Sequence, residues 1–569
     1  MKPLQKSCVV LIVLLCCSLM TYSQFFINPL LIPPVLNGTT FNLTFSPSVH
    51  QFYPGINTDT YGINGDYLGP TLIFNKGDTV NIDVVNNLPE VTSCHWHGLH
   101  VPAYYDGGPH STINPGEIWN AHFKVMNNAA TYWYHPHIHM TTQPQVTFGL
   151  AGMIIVKDTI ENQLNLPRQY SIDDFPIIIQ DRKYSVSGQF LSYGLGDSIL
   201  VNGTATPYLN CPKQLVRMRL LNGSNARVYN IGFNDQRNFF VIAGDGGLLQ
   251  QPYSTNRLLL SNGERAEIVV DLSSDVIGQQ LYVMSFASEM ASNIPGAILG
   301  PMGGNGPLEA VNYKLFEIDV ISPTVNPVLM IPTVLFPQSV WNPLSAARIR
   351  NKSVSGIGSV NGMGNFFLDN VTYDETVFND TIQLNDIEIW NVTNTSNIAH
   401  PIHLHDVQFY ILNRNGSPPS PQETGLKDVF LISPNETVSI ITRFEDYFND
   451  TVPYMYHCHN LAHEDMGMML QFIVVNNSTS VEEQEMLNNS IVGYPNPANE
   501  SWNINLEKIE NKVPKFQITD QLGKIIPATI TFDVNTGKAS IENRHFLAGI
   551  YLLTILSGQK NFICKLVKF

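Results

Sequence analysis

Residues 71–89 read "TLIFNKGDTVNIDVVNNLP": apolar and polar residues alternate in short runs, broken by Lys-Gly-Asp and closed by Asn-Asn-Leu-Pro. Successive side chains of a strand face opposite ways, so this alternation buries one face and wets the other. Comparable runs recur as "AGMIIVKD" at 151–158, "QLVRMRLLNGSN" at 214–225, "GERAEIVVDLS" at 263–273 and "LQFIVVNN" at 470–477. Helical periodicity is scarce, and Gly, Pro, Asn and Asp separate the runs. The pattern is that of all-β sandwiches. A chain of 569 residues exceeds what one core supports, so three to four domains are expected.

The first residues read as a secretory signal: Lys2 and Lys6, an apolar run over 8–19, then small and polar residues to Gln24. That run is too short to span a bilayer, and no later segment offers about twenty uninterrupted apolar residues. The expectation is an exported protein with no transmembrane segment, secreted or held at the cell surface. Removing the signal leaves Cys94, Cys211, Cys458 and Cys564, too few for a disulfide scaffold, although Cys94 and Cys211 could pair. A net charge of −16 argues against nucleic acid as a partner. The charge is uneven, because residues 501–569 carry +4 against −20 for the rest. A Pro- and Gly-rich stretch, 322–364, reads as a connection between domains.

Ten of the sixteen histidines fall in four short clusters: His95 and His97 in "HWH", His135 and His137 in "HPH", His400, His403 and His405 in "HPIHLH", and His457, His459 and His463 in "HCHNLAH". One His-x-His pair means little, being most often a polar surface pair. From the frequencies of His and Cys, a chance His-Cys-His-x3-His has an expectation of about 0.0002. Strand parity puts His457 and His459 on one face and Cys458 on the other; His400 has the parity opposite to His403 and His405. Two such strands can build two centres back to back. A thiolate, two imidazoles and a weak thioether make a blue copper set. Zinc accepts Cys and His too, but His463 at Cys+5 with Met468 at Cys+10 suits copper better. Met466 and Met469 read as core filler, as do Met284, Met290 and Met302. The eight remaining clustered histidines exceed one ion's needs and point to a polynuclear centre that reduces dioxygen. One residue of strand, on the order of 3.3 Å of rise, separates Cys458 from either neighbouring histidine.

These clusters, in this order and spacing, resemble the multicopper oxidases, over roughly residues 41–475. The resemblance implies three cupredoxin-like Greek-key β-sandwich domains, at 25–165, 166–322 and 365–478, after a signal peptide at 1–24 and with a linker at 323–364. It implies four copper ions: type 1 held by His400, Cys458, His463 and Met468, type 2 by His95 and His403, and two type 3 ions by His97, His135, His137, His405, His457 and His459. Glu464 in "HEDMGM" and Asp106 in "YYDGGPH" match acidic positions that supply protons. His139 would sit beside the site or be structural, and His50, His100, His110, His122 and His545 are read as ordinary polar residues. "WYHPHIHMTTQPQVTFGLAG" and "HCHNLAHEDMGMM" look most like the bacterial laccase, bilirubin oxidase and cuprous oxidase branch. The implied partners are O2 and a small reducing substrate (phenols, aromatic amines, tetrapyrroles or Cu(I)), and a monomer is expected. A copper-binding protein without turnover is the rival from another class. "GYPNPANESWNINL" and the "LAGIYLLTILSGQKNFICKLVKF" end resemble the C-terminal sorting domain of the type IX secretion system, here 490–569, a small β-sandwich addressed to that machinery.

Overall fold

The computed structural model describes residues 26–191, 194–304, 306–476, 493–506, 514–520, 524–557 and 560–568. The chain divides into two compact units, Met1–Asn476 and Asn477–Phe569. The expected signal segment lies outside the described residues.

In the first sandwich a four-stranded sheet (Thr40–Tyr53, Ile56–Ile63, Thr79–Asn86, Ile118–Lys124) packs on a five-stranded one containing His95–His97 and Ala130–His135. The alternation of "TVNIDVVN" determines its packing: Val80, Ile82 and Val84 are fully buried while their neighbours face outward. Cys94 and Trp96 share this core with Phe41, Phe74 and Tyr132. The middle sandwich pairs a six-stranded with an eight-stranded sheet around Phe175, Met218, Tyr229, Ile268 and Phe316. Its strand Leu215–Asn222 is buried along its whole length. Arg217 and Arg219 are tolerated there because Glu161, Glu267 and Asp174 pair with them. Cys211 is a free thiol in this core and Cys94 a free thiol in the first, so the two do not pair.

The third sandwich joins two five-stranded sheets around Trp390, Phe409, Phe430, Phe444 and Phe472, each such ring contributing about 1.5–3 kcal/mol by burial. The span expected to be a linker ends differently. Residues Arg348–Gly358 form a strand of this sandwich, in parallel register with Ile387–Asn394. The alternation was hidden because an inward position is Lys352, whose ammonium bonds Asp369, Asp380 and the Tyr456 hydroxyl at 2.6–2.9 Å. The second unit is a small two-sheet β domain around Trp502, Ile504, Ile541, Leu553 and Leu566.

Candidate metal centres

The two centres are set by one strand pair. Antiparallel register places His403 opposite His457 and Ile402 opposite Cys458. His400 therefore shares the face of Cys458, and His403 that of His457. On the inner face, Cys458 Sγ lies 3.5 Å from His400 Nδ1 and 3.7 Å from His463 Nδ1. An ion about 2.0–2.3 Å from each atom spans such separations at roughly tetrahedral to trigonal angles. His463 sits on a helical turn, Leu461–Asp465, capped by the Asn460 side chain. The chain then folds back: Met468 N donates to His463 O (2.9 Å) and Cys458 N donates to Met468 O (3.1 Å), which leaves Met468 fully buried beside the centre. Asn460 N donates to Cys458 Sγ (3.4 Å). Phe366 packs on the rings of His400 and His463, both at 4.6 Å. Burial pushes the Cys458 thiol well up, so only a bound cation would make it a thiolate. Ser359 O lies 3.0 Å from His463 Nε2, so the 359–363 turn covers that edge.

The outer face meets the first sandwich, where His95 pairs with His135 across two strands. Two triads of imidazole nitrogens result. His137, His405 and His457 turn their Nε2 atoms to one another at 3.0–3.2 Å. His97 Nδ1 lies 3.4 Å from His135 Nε2 and 3.3 Å from His459 Nε2. His95 and His403 each keep an unpartnered buried Nε2, with Nδ1 bonded at 2.8 Å to the carbonyls of Asp106 and Asp428. Bare nitrogens facing one another in a dry interior are destabilising without a cation among them. The donor set, all imidazole in one centre and thiolate, imidazole and thioether in the other, fits copper. Among the described residues every expected histidine ligand and Cys458 fall within these two groups.

Oxygen acceptors on the far nitrogens set the tautomers. Asp106 Oδ2 takes His405 Nδ1 at 2.8 Å, and Glu464 faces the Nδ1 atoms of His137 (3.5 Å) and His457 (3.3 Å). Burial works to raise the Glu464 pKa, but His137 and His457 outweigh it and hold the carboxyl at about 2. Burial, first of all, keeps the imidazoles neutral: His97, His135, His137, His400, His403 and His405 fall well below the ordinary value, His459 to about 3 and His463 to about 4.

His139 stays outside both groups, edge-on to Tyr373 at 5.0 Å. His100, set between Asp406 and Asp446, is buried enough to lose affinity for its proton, yet those carboxylates raise it to about 9. Two methionine readings are corrected: Met466 (45 % exposed) and Met302 (36 %) are surface residues, because they lie on turns rather than strands. Sequence reasoning missed Trp133, stacked on His135 at 4.1 Å, and Asp465, which takes the backbone N–H groups of Thr142 (3.0 Å) and Gln143 (2.9 Å). It also missed Asp428, Arg265 and Gly263. "WYHPH" and "HEDMG" could have flagged the first two by adjacency; nothing local flags the others.

Sandwich domains with a thiolate centre backed by an all-imidazole centre define a cupredoxin-type copper oxidoreductase. Residues 47–161, 180–300 and 350–478 match the multicopper oxidase family, and 493–568 match the secretion system C-terminal sorting domain. The chain is 35 % identical over 443 residues to a multicopper oxidase of Staphylococcus haemolyticus, covering 75 % of this chain and 86 % of that protein. It is 33 % identical over 456 residues to the cell division protein FtsP of Escherichia coli, covering 79 % and 93 %. Its fold superposes on the laccase-like multicopper oxidase CueO of Ochrobactrum sp. with TM-score 0.70 at 30 % identity, over 79 % of this chain and all of that one. The chain belongs to the multicopper oxidase family and ends in a secretion sorting domain.

Proposed function

We propose that this is an exported laccase-like oxidase that takes single electrons from phenolic, aromatic amine or tetrapyrrole donors and uses them to reduce O2 to water. The observation that carries the reading is the pair of imidazole triads, with nitrogens 3.0–3.4 Å apart, joined through His457 and His459 to Cys458 between them. Copper, when bound, supplies one-electron chemistry at the thiolate centre and multielectron reduction of oxygen at the imidazole centre. His400, Cys458, His463 and Met468 would hold the type 1 ion, His95 and His403 the type 2 ion, and the six remaining histidines the type 3 pair.

The protein's own contribution is positional and protonic. Asp106 and Glu464 are buried carboxylates in contact with ligand imidazoles, placed to accept and relay the protons that oxygen reduction consumes. One relative is named as a cell division protein; the donor set of this chain favours turnover over storage. The sorting domain supports export through the type IX machinery.

The test is oxygen uptake by the copper-loaded mature protein, with an aromatic one-electron donor and with Cu(I) under matched conditions. Faster uptake with the aromatic donor supports the proposal. Uptake confined to Cu(I) would replace the organic donor by cuprous ion, and copper binding without uptake would leave a binding protein.

A further inference from the structure

No histidine lies between His139 and His400, so the middle sandwich offers no imidazole to either centre. We propose that it is nevertheless a positioning element of the imidazole centre, with Arg265 acting through Asp428 on His97 and His403. The inference rests on the copper reading above.

Arg265 and Asp428 are fully buried where the three sandwiches meet. The guanidinium has five donors, and all five are used. Nε donates to Thr131 O (3.0 Å), on the strand that carries His135. One terminal nitrogen donates to Gly263 O (2.9 Å) and Asp428 Oδ1 (2.6 Å), the other to Asp245 O (3.0 Å) and Asp428 Oδ2 (2.6 Å). A planar fork that meets a carboxylate with both tines holds its orientation as well as its charge. Asp428 is thereby aimed at two ligands: its Oδ1 lies 3.3 Å from His97 Nε2, and its carbonyl accepts from His403 Nδ1 at 2.8 Å.

His97 shows why the aim matters. It faces its triad with Nδ1, whereas His135 and His459 face it with Nε2. A neutral imidazole carries one proton, and only the nitrogen without it can bind a metal. The Asp428 carboxylate accepts the proton at Nε2 and so keeps the Nδ1 lone pair free. A second contact from the same turn reaches another ligand. Gly263 has φ +79°, and a Cβ there would lie 2.9 Å from His459 Cδ2. The middle sandwich also grips the helical turn of the thiolate centre, where Leu461 N donates to Asn225 O at 2.9 Å.

The experiment compares full-length wild-type, Asp428→Asn and Arg265→Lys proteins after copper loading. It reads copper per chain, the visible thiolate-to-copper band, the paramagnetic resonance of the imidazole-bound copper, and kcat and KM for O2 and for donor. Asp428→Asn withdraws one of the two acceptors the fork requires; Arg265→Lys keeps the charge but not the fork. The expected result is an unchanged thiolate band and donor KM, an altered paramagnetic signature, and a fall of about 10–100-fold in imidazole-centre copper affinity or O2 turnover. Arg265→Lys should show the same signature with a smaller loss. Wild-type spectra and turnover in Asp428→Asn would overturn the proposal, as would parallel loss of both centres in both variants, the mark of a merely structural role. Wild-type protein that takes up no copper would instead overturn the oxidase reading on which it rests.

Discussion

The thiolate centre and the imidazole centre share one pair of strands but are completed by different means. The first is completed within one sandwich: His400 comes from the facing strand, and His463 and Met468 follow Cys458 within ten residues. The second needs three sandwiches. Its ligands come from the first and third, and the guanidinium that orients Asp428 beside two of them comes from the middle one. A site made by local sequence tolerates small shifts between domains. A site made at an interface inherits every such shift, so buried pairs such as Arg265–Asp428 hold it in place.

The comparison can be broken most sharply at the thiolate. Cys458→Ser should reduce turnover with organic donors to background and abolish the visible band, while the imidazole centre keeps its copper, as metal analysis would show. Glu464→Gln should act on the other half alone. Oxygen turnover should fall about 10²–10⁴-fold and its pH profile should change shape, with the thiolate band intact.

Acid separates the two states of the protein rather than the two centres. Eight imidazoles are held neutral in the metal-free fold, with pKa values far below the roughly 6.5 of the unfolded chain. As pH falls from about 6.5 the unfolded state binds protons that the folded state refuses. The metal-free protein should therefore lose up to about 1.4 kcal/mol per pH unit for each such group, seen as a Tm falling steeply toward pH 4. Copper on the same nitrogens should flatten that dependence. The smallest expected effect is that of Ser396→Ala, which removes the hydroxyl 3.0 Å from His400 Nε2. It should change donor oxidation by less than about tenfold, measured as kcat/KM, without altering the oxygen half-reaction.

The ligands were legible because metal chemistry uses rare side chains at strand spacing: His457, Cys458 and His459 declare their faces by parity alone. Lys352 was not legible as a strand residue, since its burial depends on carboxylates from elsewhere in the fold. Met466 misled for the related reason that a turn and a strand can carry the same residue.

By itself, the sequence determined the sandwich architecture, the candidate metal donors and their division into two groups, because alternation and ligand chemistry are local properties. Only the tertiary structure decided which nitrogen each imidazole presents, and that Arg265, Asp428 and Gly263 from two sandwiches bear on His97, His403 and His459. Apart from the Asp428–His403 pair, 25 positions apart, those contacts join residues more than a hundred positions apart, and such pairs exist only once packed cores have brought the surfaces together.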